Sequence, residues 1–206
     1  VHNGSASTST ERRYMMKKII LSAIIVIFLV IIFAVLGFVG TYNSLQVADE
    51  TINSNWAQVE NQLKRRNDLI PNLVSTVKGY AAHEKEVFTN IAEARSKLSG
   101  AMSSNDVKAV SQSSGELNSA LSRLLLVVER YPELKADKSF LALQDELAGT
   151  ENRLAVARKD YNDSVKALNA RIRTFPTSII ASISGIKARD YFEIDEGEKA
   201  TPKVEF

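Results

Sequence analysis

An uninterrupted apolar run over residues 19–39 constrains this chain more than any other feature of its sequence. The run reads IILSAIIVIFLVIIFAVLGFV, and its 21 residues include no charge. At 1.5 Å of rise per residue, a helix of this length spans the ~30 Å hydrocarbon core of a bilayer. The run therefore predicts a transmembrane helix, through which the chain contacts membrane lipids.

The charges that flank this run are distributed asymmetrically. Arg12, Arg13, Lys17 and Lys18 precede it, whereas the first basic residue after it is Lys64. Because cytoplasmic flanks carry the excess of Lys and Arg, this asymmetry predicts a cytoplasmic N-terminus and an extracytoplasmic domain. The run is longer than the apolar core of a signal peptide, and no small-residue cleavage motif follows it. We therefore expect a retained single-pass anchor.

Composition narrows the classes of function. The net charge is +2, and the positive excess belongs to the flank of the membrane segment, so we expect no nucleic-acid partner. The chain has no cysteine, which excludes disulfides, thiolate metal ligands and a cysteine nucleophile. His83-Glu84 begins a zinc-protease-like pattern, but Val87 stands where the second histidine is needed. We therefore expect no metal, no cofactor and no enzymatic activity.

The sequence after the membrane segment predicts an all-α protein. Residues 40–190 are expected to form a long antiparallel bundle of three long helices and a short fourth. A disordered basic arm over residues 1–18 precedes the membrane segment, although MKKII from Met16 is typical of a natural start. Residues 191–206 are expected to form an irregular tail, with Tyr191 and Phe192 docked on the bundle.

The first predicted helix carries an apolar stripe at heptad spacing, in which Arg66 takes one position. Pro71 either kinks this helix, because it has no N–H for the carbonyl of Asn67, or lies in the first turn of a helix restarted at Asp68. Gly79 is a second candidate break. The stripe consists of Leu45, Ile52, Trp56, Val59, Leu63, Ile70, Leu73, Val77, Tyr80, Val87, Ile91, Ala94 and Leu98.

Two further long helices are predicted. The second begins at about Asp106 or Ser114 and ends at Arg130, and a loop over residues 133–138 follows it. The third extends from an N-cap at Ser139 to Phe175, because the residue before a proline avoids helical angles. A short apolar helix then runs from Thr177 to about Gly185. The predicted buried faces are Leu117, Leu121, Leu124, Leu125 and Val128 in the second helix, and Phe140, Leu143, Leu147, Leu154, Ala157, Tyr161, Leu168, Ile172 and Phe175 in the third.

Short motifs along the chain resemble the LemA family. The resemblance covers nearly all of the chain after residue 15. It implies a bacterial inner-membrane protein with one membrane pass, a helical-bundle domain and no established catalytic residue or cofactor. One relative that works in magnetosome-membrane formation points to membrane or envelope organisation. The motifs are RRNDLIPNLVSTVKGYAAHE over residues 65–84, Tyr42-Asn43, Trp56-Ala57-Gln58-Val59, YPELKA over residues 131–136, TENR over residues 150–153, Ala157-Arg158, Tyr161-Asn162, Phe175-Pro176, Tyr191-Phe192-Glu193 and Val204-Glu205-Phe206.

Polar residues around the predicted kink form the first candidate site, which is either structural or a binding surface: Arg65, Arg66, Asp68, Pro71 and Asn72. A buried Arg66 needs an acidic partner, and the third helix offers Glu146, Glu151 and Asp160. The side chain of Asn67 or Asn72 is expected to satisfy the carbonyl that Pro71 frees.

A second candidate site lies on the third helix, where polar side chains fall one to three turns apart. They are expected to form an inter-helix hydrogen-bond network. The members are Glu151, Asn152, Arg153, Arg158, Tyr161 and Asn162.

These patterns favour a membrane-anchored extracytoplasmic scaffold of the cell envelope. Its coiled-coil-like apolar seams would bind a protein partner or a second copy of the chain, and charged flanks would set the register. The alternative is a lipid or envelope-polymer binding module with Lys64, Arg65 and Arg66 at the contact. An enzyme is the least favoured class, because no histidine is placed to serve a serine nucleophile.

Overall fold

The computed structural model describes residues 5–104 and 106–193, which form six helices and no strand. The predicted all-α class is confirmed. Four helices are long, where three were predicted. The helices are α1 (Ser5–Tyr80), α2 (Lys85–Ser104), α3 (Val107–Val128), α4 (Pro132–Lys135), α5 (Lys138–Arg171) and α6 (Thr177–Ile183).

Helix α1 is continuous from the polar arm through the apolar run and Pro71 to Tyr80. Within the described ranges, it is the one helix long and apolar enough to cross a membrane, and none of its most apolar window is buried. Residues 5–18 belong to α1, in place of the disordered arm predicted there, because extending an existing helix avoids the unfavourable nucleation step. Residues 1–4 lie outside the described residues.

The chain leaves α1 just after Gly79, so the predicted first helix is in fact two helices. A turn over residues 81–84 reverses the chain, and it is closed by the N–H of Glu84, which donates to the carbonyl of Ala81 at 3.1 Å. Ala81 itself is buried. The reversal brings α2 back along α1 and lets Phe88, Ile91 and the rest of its apolar face pack in the core. The break therefore buries a stripe that a straight helix would leave exposed.

The N-terminal ends of α3 and α5 are set by aspartate caps. Asp106 accepts hydrogen bonds from the backbone N–H groups of Lys108 and Ala109 at 2.9 and 3.2 Å, which confirms the first of the two predicted starts. Asp137, and not Ser139, caps α5, because its carboxylate accepts from the N–H of Phe140 at 2.9 Å. The predicted loop between these helices contains the single turn α4.

The C-terminal part of the fold turns back toward α1. Helix α5 ends at Arg171, four residues before the predicted Phe175, and α6 follows after a tight turn. Gly185 then adopts a φ of +71°, a left-handed conformation that glycine accepts without steric penalty. The chain returns along the bundle as an extended segment over residues 186–193. Residues 194–206, where most of the predicted tail falls, lie outside the described residues.

One apolar core connects these elements, and its axis is the antiparallel contact between α1 and α5. Most predicted stripe residues are buried there. Three predictions of burial are wrong: Phe175 is 82% exposed, Leu125 42% and Tyr80 40%. Phe175 lies beyond the end of α5, so it has left the helix face on which the heptad spacing placed it. Val165 is fully buried on α5 and was not predicted.

Candidate functional site

The backbone around Pro71 stays helical, and a residue of another helix satisfies the carbonyl that Pro71 frees. Arg95 of α2 donates from Nε to the carbonyl of Asn67 at 3.2 Å and to the Asn67 side-chain oxygen at 3.1 Å. Asn67 also donates to Ser99 at 3.1 Å. The predicted satisfaction by Asn67 or Asn72 is thus wrong, because a guanidinium from α2 reaches the carbonyl directly. The restarted helix at Asp68 is also wrong, since α1 continues through that residue.

Arg66 lies in the core and shares a carboxylate with a second arginine. Its Nη1 is 2.5 Å from Glu151 Oε2, and Arg158 Nη2 is 2.6 Å from Glu151 Oε1. The two arginine side chains are about nine-tenths buried, whereas Glu151 is partly exposed. Arg158 also lies over the ring of Phe192 at 5.5 Å. Glu151 is one of the three partners predicted for Arg66, and it connects α1 to α5.

Arg65 occupies the adjacent, exposed position and makes a different pair. Its Nη2 contacts Glu146 Oε1 at 2.5 Å, and Arg153 approaches the same oxygen at 3.5 Å. Arg153 additionally donates to Gln62 at 3.3 Å. All of these side chains are solvent-accessible, so water screens their attraction and each pair contributes roughly 0–1 kcal/mol.

Two open grooves flank α1 near Asn61. The first, of about 450 Å³, lies between α1 and α2 and is lined by Glu60, Asn61, Lys64, Asn67, Asp68, Ser99, Met102 and Ser103. The second, of about 440 Å³, lies between α1 and α5 and is lined by Gln58, Asn61, Gln62, Asn152, Arg153, Val156 and Ala157. Asn72 is exposed beyond the first groove. The first candidate group thus divides into a buried charge, Arg66, and an exposed polar surface.

Two asparagines of α5 hold the extended segment through its backbone. Asn162 donates to the carbonyl of Phe192 at 2.9 Å and accepts from its N–H at 2.8 Å. Asn169 makes the same pair of bonds with Arg189, each at 2.9 Å. The asparagines are two helical turns apart, ~10.5 Å, and three extended residues span about the same distance. We call this arrangement the asparagine clamp.

Aromatic and charged side chains complete the contact of the extended segment. Trp56 lies 5.2 Å from the ring of Tyr161 and 6.3 Å from that of Phe192. Tyr161 donates its hydroxyl to the carbonyl of Asp190 at 2.9 Å, and burial raises the pKa of that hydroxyl. Arg189 binds both carboxylate oxygens of Asp49, at 2.8 and 3.0 Å.

The residues predicted to form one network on α5 instead have separate structural roles. Glu151 and Arg158 belong to the buried charge cluster, Tyr161 and Asn162 hold the extended segment, and Arg153 pairs on the surface. Asn152 is exposed and lines the second groove.

Sequence reasoning missed Arg95, Asn169, Arg189 and Asp49. Asn162 and Asn169 follow the stripe positions Tyr161 and Leu168, so the repeat of asparagine at heptad spacing was a detectable signal. Arg95 had no such signal.

The chemistry of these residues is that of binding and positioning. Over residues 5–104 and 106–193, no group of three or more His, Asp or Glu side chains is placed to hold a metal ion. His83 is exposed in the turn between α1 and α2 rather than on a helix face. The hydrogen bonds and ion pairs join α1, α2, α5 and the extended segment into one unit.

Comparison with known proteins assigns a family. Residues 55–206 match the profile of the LemA family. Magnetosome protein MamQ 2 of Paramagnetospirillum magneticum is 26% identical over 189 residues, which cover 79% of this chain and 70% of the relative. Magnetosome protein MamQ of Magnetospirillum gryphiswaldense is 26% identical over 188 residues, with 78% and 69% covered.

A relative with the family's own name matches a similar share of the chain. Protein LemA of Metamycoplasma hominis is 27% identical over 164 residues, which cover 79% of this chain and 73% of the relative. The apolar helix and these relatives together make the chain a membrane protein. The profile match spans well over half of the sequence, and the chain belongs to the LemA family.

Proposed function

We propose that this chain is a single-pass, membrane-anchored scaffold that displays a helical rod on the extracytoplasmic side and binds a protein partner or a second copy of itself. The observation that carries the proposal is the continuity of α1. From residue 40 to Tyr80 this helix extends the membrane segment by 41 residues, ~60 Å of rise. Because α5 packs along it, the far end of the rod is held at a fixed distance from the apolar run.

The far end of the rod carries exposed apolar and polar groups suited to a protein contact. Arg130 pairs with Glu84 at 2.8 Å, which places the end of α3 beside the turn after α1. Leu125 and Leu126 are exposed there. These two adjacent exposed leucines offer apolar area for a protein contact. The magnetosome relatives support a role in organising a membrane or envelope.

The alternative, a lipid or envelope-polymer binding module at Lys64, Arg65 and Arg66, receives less support. Arg65 and Arg66 are paired with Glu146 and Glu151. Arg66 also lies 27 residues beyond Val39 on one continuous helix, which is ~40 Å from the end of the apolar run. These arginines are therefore remote from the bilayer that α1 would cross.

Photo-crosslinking in the native membrane tests the proposal. A photo-reactive residue replaces Asn72, Lys85 or Leu126 in turn, all exposed near the far end of the rod. Lys166, exposed on α5 nearer the apolar run, serves as the matched control. We expect one protein, or a second copy of the chain, to be captured from the far-end positions and not from Lys166. Lipid adducts alone, or equal capture from every position, would contradict the proposal.

A further inference from the structure

The corner where α5 turns into α6 lies at the level of the predicted bilayer surface. Arg171, the last residue of α5, donates to Ser44 at 2.5 Å. Ser44 is five residues beyond Val39 on α1, ~7.5 Å along the helix. Helix α6 then contacts α1, and its Ile180 and Ala181 are buried. The corner is therefore held beside the first turns of α1 that follow the apolar run.

This corner exposes three large apolar side chains. Phe175 is 82% exposed, and Ile179 and Ile183 are 53% and 69% exposed. Ile179 and Ile183 are four residues apart, so they share one face of α6. Tyr42, on α1 at the same level, is also exposed, and tyrosine is enriched at membrane–water interfaces.

The charge of the corner is uniformly positive. The sequence of residues 171–187, RIRTFPTSIIASISGIK, contains no acidic residue. Arg171, Arg173 and Lys187 are all exposed. Basic side chains beside exposed apolar ones are characteristic of segments that lie in a bilayer interface, where the apolar groups enter ~5–10 Å and the charges meet anionic headgroups.

We propose that residues 171–187 form a second membrane contact, in which Phe175, Ile179 and Ile183 enter the interface of the bilayer that α1 crosses. The offset of ~7.5 Å between Ser44 and the apolar run matches the depth of such insertion. Arg171, Arg173 and Lys187 contact anionic headgroups. With two attachments in place of one, the rod has a fixed orientation to the membrane. The inference rests on the proposed anchoring by residues 19–39.

Quenching of a site-specific fluorophore tests this contact. The chain has no native cysteine, so the single variants Ile183→Cys, Val156→Cys and Val39→Cys each carry one polarity-sensitive label. Val156 is the matched control, because it is 60% exposed and apolar but lies 15 residues up α5 from Arg171, ~22 Å away. The full-length chain is reconstituted in vesicles of phosphatidylcholine and phosphatidylglycerol that contain a lipid spin-labelled close to the headgroup.

We expect the label at residue 183 to be quenched at least about threefold more strongly than that at residue 156. The label at residue 39 should be quenched as well. Equal, weak quenching at residues 183 and 156 with strong quenching at residue 39 would overturn the second contact and leave the anchor intact. Weak quenching at residue 39 would overturn the anchor itself.

Charge reversal tests the headgroup contribution. Arg173→Glu combined with Lys187→Glu, in the Ile183→Cys background, should bring quenching in anionic vesicles close to the Val156 level. The same two substitutions in the Val39→Cys background should leave quenching at residue 39 unchanged. Unchanged quenching at residue 183 would overturn the contact with anionic headgroups.

Discussion

The apolar faces of α1 and α5 are covered by different elements in the two halves of the rod. In the half far from the apolar run, α2 and α3 cover the α1–α5 pair with apolar side chains. In the half near the run, that second pair of helices is replaced by α6 and the extended segment over residues 186–193. The far half is thus a helical bundle, and the near half is a two-helix pair completed by irregular chain.

The difference teaches where polar residues are needed in a helical protein. A helix satisfies its own backbone hydrogen bonds, whereas an extended segment brings unpaired N–H and C=O groups that require partners. The near half supplies them through the asparagine clamp. In the far half, the backbone carbonyl that Pro71 frees at Asn67 is likewise bonded by a side chain, that of Arg95. Substitutions in each half separate these two modes of stabilisation.

Removal of core volume in the far half should lower the free energy of unfolding more than the other changes. Leu124 of α3 is fully buried, so Leu124→Ala is expected to lower the free energy of unfolding by roughly 2–5 kcal/mol. Leu126→Ala, two residues away and 69% exposed, is the control and should change it by no more than about 0.5 kcal/mol. Urea denaturation of the detergent-solubilised protein measures both. Equal effects would mean that α3 is not part of the cooperative core.

Loss of the shared carboxylate should have the next largest effect. Glu151→Ala leaves Arg66 and Arg158 without the charge that bridges them, and the free energy of unfolding should fall by about 3 kcal/mol. Glu146→Ala breaks only exposed pairs and should cost about 1 kcal/mol or less. Urea denaturation again separates the two. A small loss for Glu151→Ala would show that solvent compensates the two arginines.

Loss of one asparagine of the asparagine clamp should destabilise the extended segment and leave the rest of the fold unchanged. Asn169→Ala removes both partners of the Arg189 backbone, so that contact should weaken by about 1–3 kcal/mol. Amide hydrogen exchange should rise at residues 186–193 and stay unchanged in α2 and α3. Asn152→Ala, an exposed asparagine on the same helix, is the control and should change neither. A global rise in exchange would contradict the division of the rod into two halves.

The bond between Arg95 and the freed carbonyl should appear as coupling between two mutations. In Pro71→Ala, residue 71 regains an N–H that can bond the Asn67 carbonyl, so Arg95 loses part of its role. Arg95→Leu should therefore destabilise the wild-type protein by about 1 kcal/mol more than it destabilises Pro71→Ala. A double-mutant cycle on unfolding free energies measures this difference. Strict additivity would show that Arg95 contributes through its packing alone.

The smallest effect should be a pH dependence of the stability. It arises at the far end, where Tyr80 donates a hydrogen bond to Asp137 at 3.0 Å. The backbone N–H of Phe140 and the Tyr80 hydroxyl lower the pKa of Asp137, and the same carboxylate raises the pKa of Tyr80. The Asp137 contribution is present at neutral pH and lost in acid, as pH falls below about 4. The Tyr80 contribution is present at neutral pH and lost in alkali, as pH rises above about 10. In thermal melts, wild type should therefore be more stable than Tyr80→Phe at neutral pH, and this difference should shrink as pH falls below about 4 or rises above about 10.

Much of the fold could be predicted from the periodic spacing of apolar residues. The apolar run, the heptad stripe of α1 and the buried face of α3 depend on residue spacing within one helix, which the sequence displays directly. The end of α3 before Tyr131-Pro132 and the start of α6 at Thr177 followed from local backbone rules. The Arg66–Glu151 pair was among the predicted alternatives because a charge at a stripe position requires a partner.

Other features depended on contacts between distant parts of the chain. Arg95 meets Asn67 only because the chain reverses at residues 81–84. The local sequence around either residue does not predict this contact. Arg189 meets Asp49 across 140 positions. Phe175 had a sequence signal that the fold does not follow. It continues the heptad spacing, yet it lies outside α5 and is exposed.

Local sequence determines that this protein has a helix able to cross a membrane, followed by long amphipathic helices, because both properties are sums over neighbouring residues. The tertiary structure decided that α1 continues through Pro71 and stops at Tyr80, and that an extended segment completes the near half. The physical reason is that local propensity favours a helix break only weakly, by ~1 kcal/mol at a glycine relative to an alanine. The apolar area that α2 buries by folding back is worth several times that amount, so packing, and not local preference, sets the break.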